Sequence, residues 1–140
     1  MPRVGRFWFS PDLYYTPHHT WAKLRTDGLV VVGIDDFASK TLGEIVNLSL
    51  SPVGTSVKQF ESLGELESMK WVGEISSPLS GVIVEVNAEV MENLSLLAND
   101  PYGKGWLVVL EPSNFEGETK NLLHGDRAFE WFKKEVESTK

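Results

Sequence analysis

Between Lys58 and Lys104 the sequence holds one basic residue, Lys70, and eight acids running from Glu61 to Asp100. A neutral lysine amine attacks an activated acyl group, and the amide it forms carries no charge. A solvated lysine on a strand can instead discourage edge-to-edge pairing. The pattern around Lys70 favours the first use. The runs 63–69 and 71–75 read as two strands meeting at Lys70, which places the amine at an exposed hairpin bend. Gly54 lies 16 residues before it and Gly81 lies 11 after it, with Pro78 three residues ahead of that second glycine. The immediate context is Glu67-Ser68-Met69-Lys70-Trp71. Three placements are open to Trp71: over the base of a group attached to the lysine, toward a partner, or beneath the hairpin.

Other reactive combinations are missing. The sequence has no cysteine, which removes disulfides, thiolate nucleophiles, Cys–zinc sites and Cys-ligated iron–sulfur clusters together. His18 and His19 are adjacent, would point to opposite faces of a strand and have only His124 for company, so they do not read as a metal site. Asp100-Pro101-Tyr102-Gly103-Lys104-Gly105 has the wrong spacing for a phosphate-binding loop and reads as an Ω-like turn. No G-x-S-x-G is present. With no acid, base or nucleophile constellation, the expectation is a non-catalytic protein. The net charge of −7 argues against nucleic acid or an anionic membrane as partner. No apolar run approaches the roughly 20 residues that span a bilayer. Met1–Arg6 leads into no long apolar core, so no secretory signal is expected. A cytoplasmic location fits these features.

The elements that must position Lys70 are mostly strands. Val4–Phe9 is an apolar-rich lead, and strands are expected over 19–25, 29–34, 44–50, 82–87 and 106–111, with a hairpin turn at Thr26-Asp27-Gly28. Val82, Val84 and Val86 would share one face, with Ile83 and Glu85 on the other. Asp35 or Asp36 is expected to cap a short helix ending at Gly43. One or two helical turns are expected over 92–99. Asp126 is a candidate cap for a C-terminal amphipathic helix carrying Phe129, Phe132 and Val136. A weak repeat links Gly43-Glu44-Ile45-Val46-Asn47-Leu48 to Gly81-Val82-Ile83-Val84-Glu85-Val86, 38 residues apart. If it is structural, two similar β units face each other with Lys70 between them.

The segment around Lys70 resembles the attachment segment of lipoyl domains. Tyr15-Thr16-x-x-His19-x-Trp21, Val32-Gly33-Ile34, Leu42-Gly43-Glu44-Ile45-Val46, Glu67-Ser68-x-Lys70, Pro78-x-Ser80-Gly81-x-x-x-Glu85-Val86-Asn87 and Asn99-Asp100-Pro101-Tyr102-Gly103-x-Gly105-Trp106-Leu107 together resemble the H-protein family of the glycine cleavage system. The resemblance covers roughly Tyr14 to Phe132. It implies a mainly β fold with added helices, a barrel-sandwich hybrid of the lipoyl/biotinyl hammerhead type. Residues 1–140 would form one carrier domain, with a core at about 14–111 and a helical extension at about 113–137. It implies lipoate on Lys70 in the hairpin context of Glu67, Ser68, Met69, Trp71 and Gly81, with His19 either lining a groove for the arm or packing structurally. The implied partners are a lipoate ligase or lipoyl transferase together with aminomethyltransferase, glycine decarboxylase and dihydrolipoyl dehydrogenase. Two departures point to another branch. Thr20 stands where the family usually has an acid, and Trp71 where it has a small residue. Those features, with Phe9-x-Pro11-Asp12-Leu13-Tyr14-Tyr15, look more like the lipoate-binding proteins of heterodisulfide-reductase-like sulfur oxidation. The main expectation is therefore an arm carrying sulfur intermediates between those proteins, with glycine cleavage as the alternative. A biotin carrier is a remote third reading, because such carriers usually place Met on both sides of the lysine and only Met69 is present.

Overall fold

The computed structural model describes residues 1–138. The N-terminal lead folds into a two-stranded ribbon, β1 (Arg3–Val4) and β2 (Phe7–Trp8). β3 (Tyr14–Tyr15), β4 (Thr20–Leu24) and β5 (Val30–Ile34) follow as an antiparallel meander. Helix α1 (Asp36–Thr41) is capped by the Asp35 carboxylate, which accepts from the Ala38 N–H at 2.9 Å. After it come β6 (Ile45–Leu50), β7 (Ser56–Val57), β8 (Ser62–Ser68), β9 (Val72–Ser76) and β10 (Gly81–Val86). Two short helices, α2 (Ala88–Glu92) and α3 (Leu96–Asn99), precede β11 (Val108–Pro112). The chain then forms α4 (Phe115–Glu118), a 3₁₀ turn over Thr119–Asn121 and α5 (Gly125–Glu137).

The strands make a six-stranded sheet, β3-β4-β5-β11-β10-β7, and a three-stranded sheet, β6-β8-β9. Between them lies an aliphatic core that includes Val30, Val32, Leu48, Leu63, Leu66, Ile75, Ile83, Leu107 and Leu110. A second cluster, rich in rings, packs α1 and α5 against the N-terminal ribbon through Phe7, Phe9, Tyr15, Trp21, Phe37 and Phe132.

The weak repeat is structural. β6 is bulged against β8 between Ile45 and Asn47, and β10 is bulged against β11 between Ile83 and Glu85. Val46 and Val84 are the extra residues, each three positions after the motif glycine, and both are exposed. The bulge also corrects the expected facing of β10. Alternation would put Val82, Val84 and Val86 on one face, but a bulge breaks the period of two. Ile83 is the fully buried residue, while Val84 is turned to solvent. The C-terminal helix begins two residues earlier than expected. His124 is its cap position and Asp126 sits in its first turn, where a carboxylate complements the helix dipole. The helical turns expected at 92–99 are preceded by one that starts at Ala88. There Asn87, not an obvious helix former, accepts from the Glu89 N–H at 3.1 Å.

Candidate functional site

Lys70 occupies the tip of the hairpin between β8 and β9, where Glu67 pairs with Val72 and residues 69–71 make the turn. Three side chains at this tip, Met69, Lys70 and Trp71, are exposed. The main chain beneath them is pinned. The Ser68 N–H donates to the Trp71 carbonyl at 2.8 Å and closes the turn. The buried Ser68 hydroxyl accepts from the Lys70 N–H at 3.3 Å. The Met69 N–H donates to the Glu44 carbonyl at 3.2 Å, tying the tip to the entry of β6. An exposed amine on a fixed support results, and a flexible loop would not provide one.

Gly43 forms the seat under the lysine stem. It ends α1 with φ +87°, a left-handed conformation in which glycine is favoured. A Cβ there would approach the Lys70 Cε to 3.3 Å. The helix stop and the lysine seat are thus the same residue. Beside it lies a cleft of about 650 Å³ lined by Arg6, Phe7, Lys40, Thr41, Lys70 and Val136. A second cleft of about 470 Å³, on the other flank, is lined by His18, His19, Phe60, Trp71 and Glu74, among others.

The residues expected to act together divide between these features. Ser68 and Met69 build the Lys70 turn. Glu67 is exposed on the outer face of β8, opposite Asn47 and Val72. Trp71 lies over Gly73, whose missing Cβ leaves room for the indole, and faces the second cleft. Gly81 is in the six-stranded sheet, paired with Val57 and Pro112. Its importance is closeness of packing: a Cβ would run into the Glu111 carbonyl oxygen. Gly81 thus stands at the start of β10, apart from the Lys70 turn.

His19 lines the second cleft but is firmly held. It lies in the turn before β4, not on a strand, with φ +67°. Its Nδ1 is 2.7 Å from Asp35 Oδ2 and its Nε2 is 2.8 Å from Glu135 Oε1. Burial disfavours the imidazolium, yet Asp35 and then Glu135 outweigh it and hold the pKa above the ordinary imidazole range. Burial pushes the Asp35 carboxyl up, with His19 pulling partly back.

Thr20, the residue after His19, is buried, with its hydroxyl 2.7 Å from that of Thr16. Phe60 and Glu135 were not singled out from sequence; Gly43 carried a signal as a helix stop and as the opening residue of the repeat, though not as the seat of Lys70. Phe60, at φ +71°, and Glu135, 116 residues from His19, carried none. Among the described residues no cluster of three or more His, Cys, Asp or Glu side chains is arranged to hold a metal ion. No helix among them is long and apolar enough to cross a membrane.

Chemically, the site offers one primary amine, presented outward on a rigid tip beside a cleft that can receive a flexible attachment. Comparison with known proteins agrees with this geometry. The profile of the family described as "Glycine cleavage H-protein" matches residues 13–135. A "Probable glycine cleavage system H protein" of Pyrococcus abyssi is 41% identical over 133 residues, covering 95% of this chain and 98% of that protein. A "Glycine cleavage system H protein" of Carboxydothermus hydrogenoformans is 45% identical over 113 residues, covering 80% and 85%. The crystal structure of a glycine cleavage system H protein from Mycobacterium marinum superposes with a TM-score of 0.70 at 40% identity, covering 75% of this chain and 87% of that one. The mainly β architecture with its C-terminal helix is the barrel-sandwich fold of that neighbour.

Proposed function

Since the chain belongs to the glycine cleavage H-protein family, a family of non-catalytic carriers with lipoate held covalently on a lysine, we propose that it is the H protein of a glycine cleavage system and that Lys70 is the lysine that carries lipoate. The observation behind the assignment is the pinned hairpin tip, on which Lys70 is exposed next to a cleft walled by α1 and α5. In attachment, Lys70 loses a proton and its Nζ bonds to the activated lipoyl carbonyl as the activating group departs. Ser68 and Glu44 hold the backbone on either side of the amine, so the ligase meets a shaped turn. When bound, the lipoyl group supplies the dithiolane that accepts and passes on an aminomethyl group. The protein contributes tethering, which raises the effective concentration at each enzyme visited. Its partners on this reading are a lipoate ligase or lipoyl transferase, glycine decarboxylase, aminomethyltransferase and dihydrolipoyl dehydrogenase, met in the cytoplasm. Residues 1–140 act as one carrier domain.

Glycine cleavage is preferred to sulfur oxidation because the relatives named above carry the glycine cleavage name. The test is co-expression with a lipoate ligase and lipoate, followed by intact-mass and peptide mapping. The lipoyl increment is expected on Lys70 and is expected to vanish in Lys70→Arg. A biotin increment, or lipoylation retained in Lys70→Arg, overturns the assignment. Incubation of the modified protein with glycine and glycine decarboxylase should then add the aminomethyl mass. Failure there, with sulfur-loaded arm recovered from cells, restores the sulfur reading.

A further inference from the structure

We propose that His19 is a positioning residue for the lysine seat: by clamping Asp35 at the head of α1 to Glu135 on α5, it holds together the two walls of the cleft beside Lys70. The inference rests on the reading of Lys70 as the carrier lysine.

Both helices reach from the clamp to the cleft. α1 starts at Asp35, its cap, and ends at Lys40 and Thr41, which line the cleft, followed by Gly43 beneath the Lys70 stem. It is only six residues long, so a shift at its head is carried to its tail as a rigid strut. On α5, Glu135 grips His19 and the next residue, Val136, lines the cleft. The imidazole itself is wedged between one ring from each helix, Phe37 at 4.9 Å and Trp131 at 4.8 Å between centroids. Its side chain is 13% exposed. A non-glycine residue held at φ +67° persists only where its surroundings over-determine it. The clamp supplies that determination.

Charge makes the clamp pH-sensitive. The acids facing His19 are Asp35 and Glu135. Asp36 beside them is ion-paired with Lys40. Tyr15 and Tyr102 near Asp35 are pushed by burial far above the ordinary phenol range and stay neutral. His19 titrates higher in the folded protein than in the unfolded chain. The clamp is therefore whole below the ordinary imidazole pKa and releases as pH rises through the folded value.

The test reads Lys70 directly in the full chain, without lipoate. A brief pulse of an amine-acylating ester is followed by peptide mass mapping, and labelling of Lys70 is expressed relative to the exposed Lys23 on β4. His19→Gln is expected to raise that ratio about threefold at mildly acidic pH through local opening. In the wild type the ratio should climb with pH past neutrality, while in His19→Gln it stays flat. Glu130→Gln, on the same helix but outside the clamp, should match the wild type. If His19→Gln does not fold, Glu135→Ala takes its place, with the same expectation. A folded clamp variant whose ratio follows the wild type at every pH overturns the proposal. Labelling requires no ligase, so a chain never lipoylated at Lys70 would overturn the carrier reading while this result stood by itself.

Discussion

The two hydrophobic clusters are built from different materials. The core between the sheets is aliphatic in all its buried members, from Ala22 and Val30 to Leu110 and Leu122. The cluster under α1 and α5 is mostly rings, with Phe9 stacked on Tyr15 at 5.2 Å and Phe132 5.3 Å away. The difference follows from where backbone polar groups find partners. In the sheets the ladders satisfy them, so side chains need only fill space. In the annex two-residue strands and turns meet α1, α5 and β4, and polar tips on rings complete the bonding. Tyr15 donates to the Ser10 carbonyl at 2.6 Å, Trp21 to the Ile34 carbonyl at 2.9 Å and Tyr102 to the Trp8 carbonyl at 2.8 Å. The aliphatic core makes the hairpin, and the aromatic annex fixes what stands around its tip.

The sharpest way to break this contrast is Phe132→Ala. Truncating a fully buried ring in the annex should cost about 3–5 kcal/mol. If the clusters are separate cooperative units, tryptophan fluorescence will then melt below the β-sheet circular dichroism signal. Coincident melting would show one cooperative unit. Leu66→Ala in the aliphatic core should cost about 2–5 kcal/mol and shift both probes together, with amide protection lost first at β8 and β9. Trp21→Phe removes one hydrogen bond and leaves the buried Ile34 carbonyl short of a donor, a loss of about 1–3 kcal/mol readable by denaturant titration. The smallest effect concerns pH. Because His19 and Asp35 both titrate higher when folded, the native state binds more protons, and stability should fall as pH rises from the ordinary imidazole range upward. The melting temperature should decline by a few degrees over that span, and the decline should be weaker in His19→Gln.

Local chemistry was legible in the sequence, and long-range chemistry was not. Lys70 stood out because its acidic surroundings and the meeting of two alternating runs lie within a few residues of it. Asp35 and Gly43 were readable as the ends of α1 because caps are local. The repeat at Gly43 and Gly81 was visible as a pattern, but its meaning, a bulge at the same step of two ladders, depends on partner strands. The need for glycine at 81 was not legible, since only the fold brings the Glu111 carbonyl against it. The burial of Thr20 was not legible, because a position between His19 and Trp21 does not reveal which way it faces. His19 stayed ambiguous because one of its two carboxylate partners lies at the far end of the chain.

Bulges in the ladders bear on which residue the chain presents. Strands can zip out of step during folding, and a slip by one residue turns every side chain to the opposite face. On β8 such a slip would drive Leu66 outward and draw Glu67 in, and the turn would crest at Met69 or Trp71 in place of Lys70. An unpaired extra residue serves as an index mark, since a ladder that has slipped has no place for it. In the hairpin itself the extra residue is Leu63, between Ser62 and Gly64 of β8, while Val46 marks β6 against β8 and Val84 marks β10 in the larger sheet. A buried leucine at the far end of the hairpin therefore helps decide that an amine, and not a thioether or an indole, arrives at the tip.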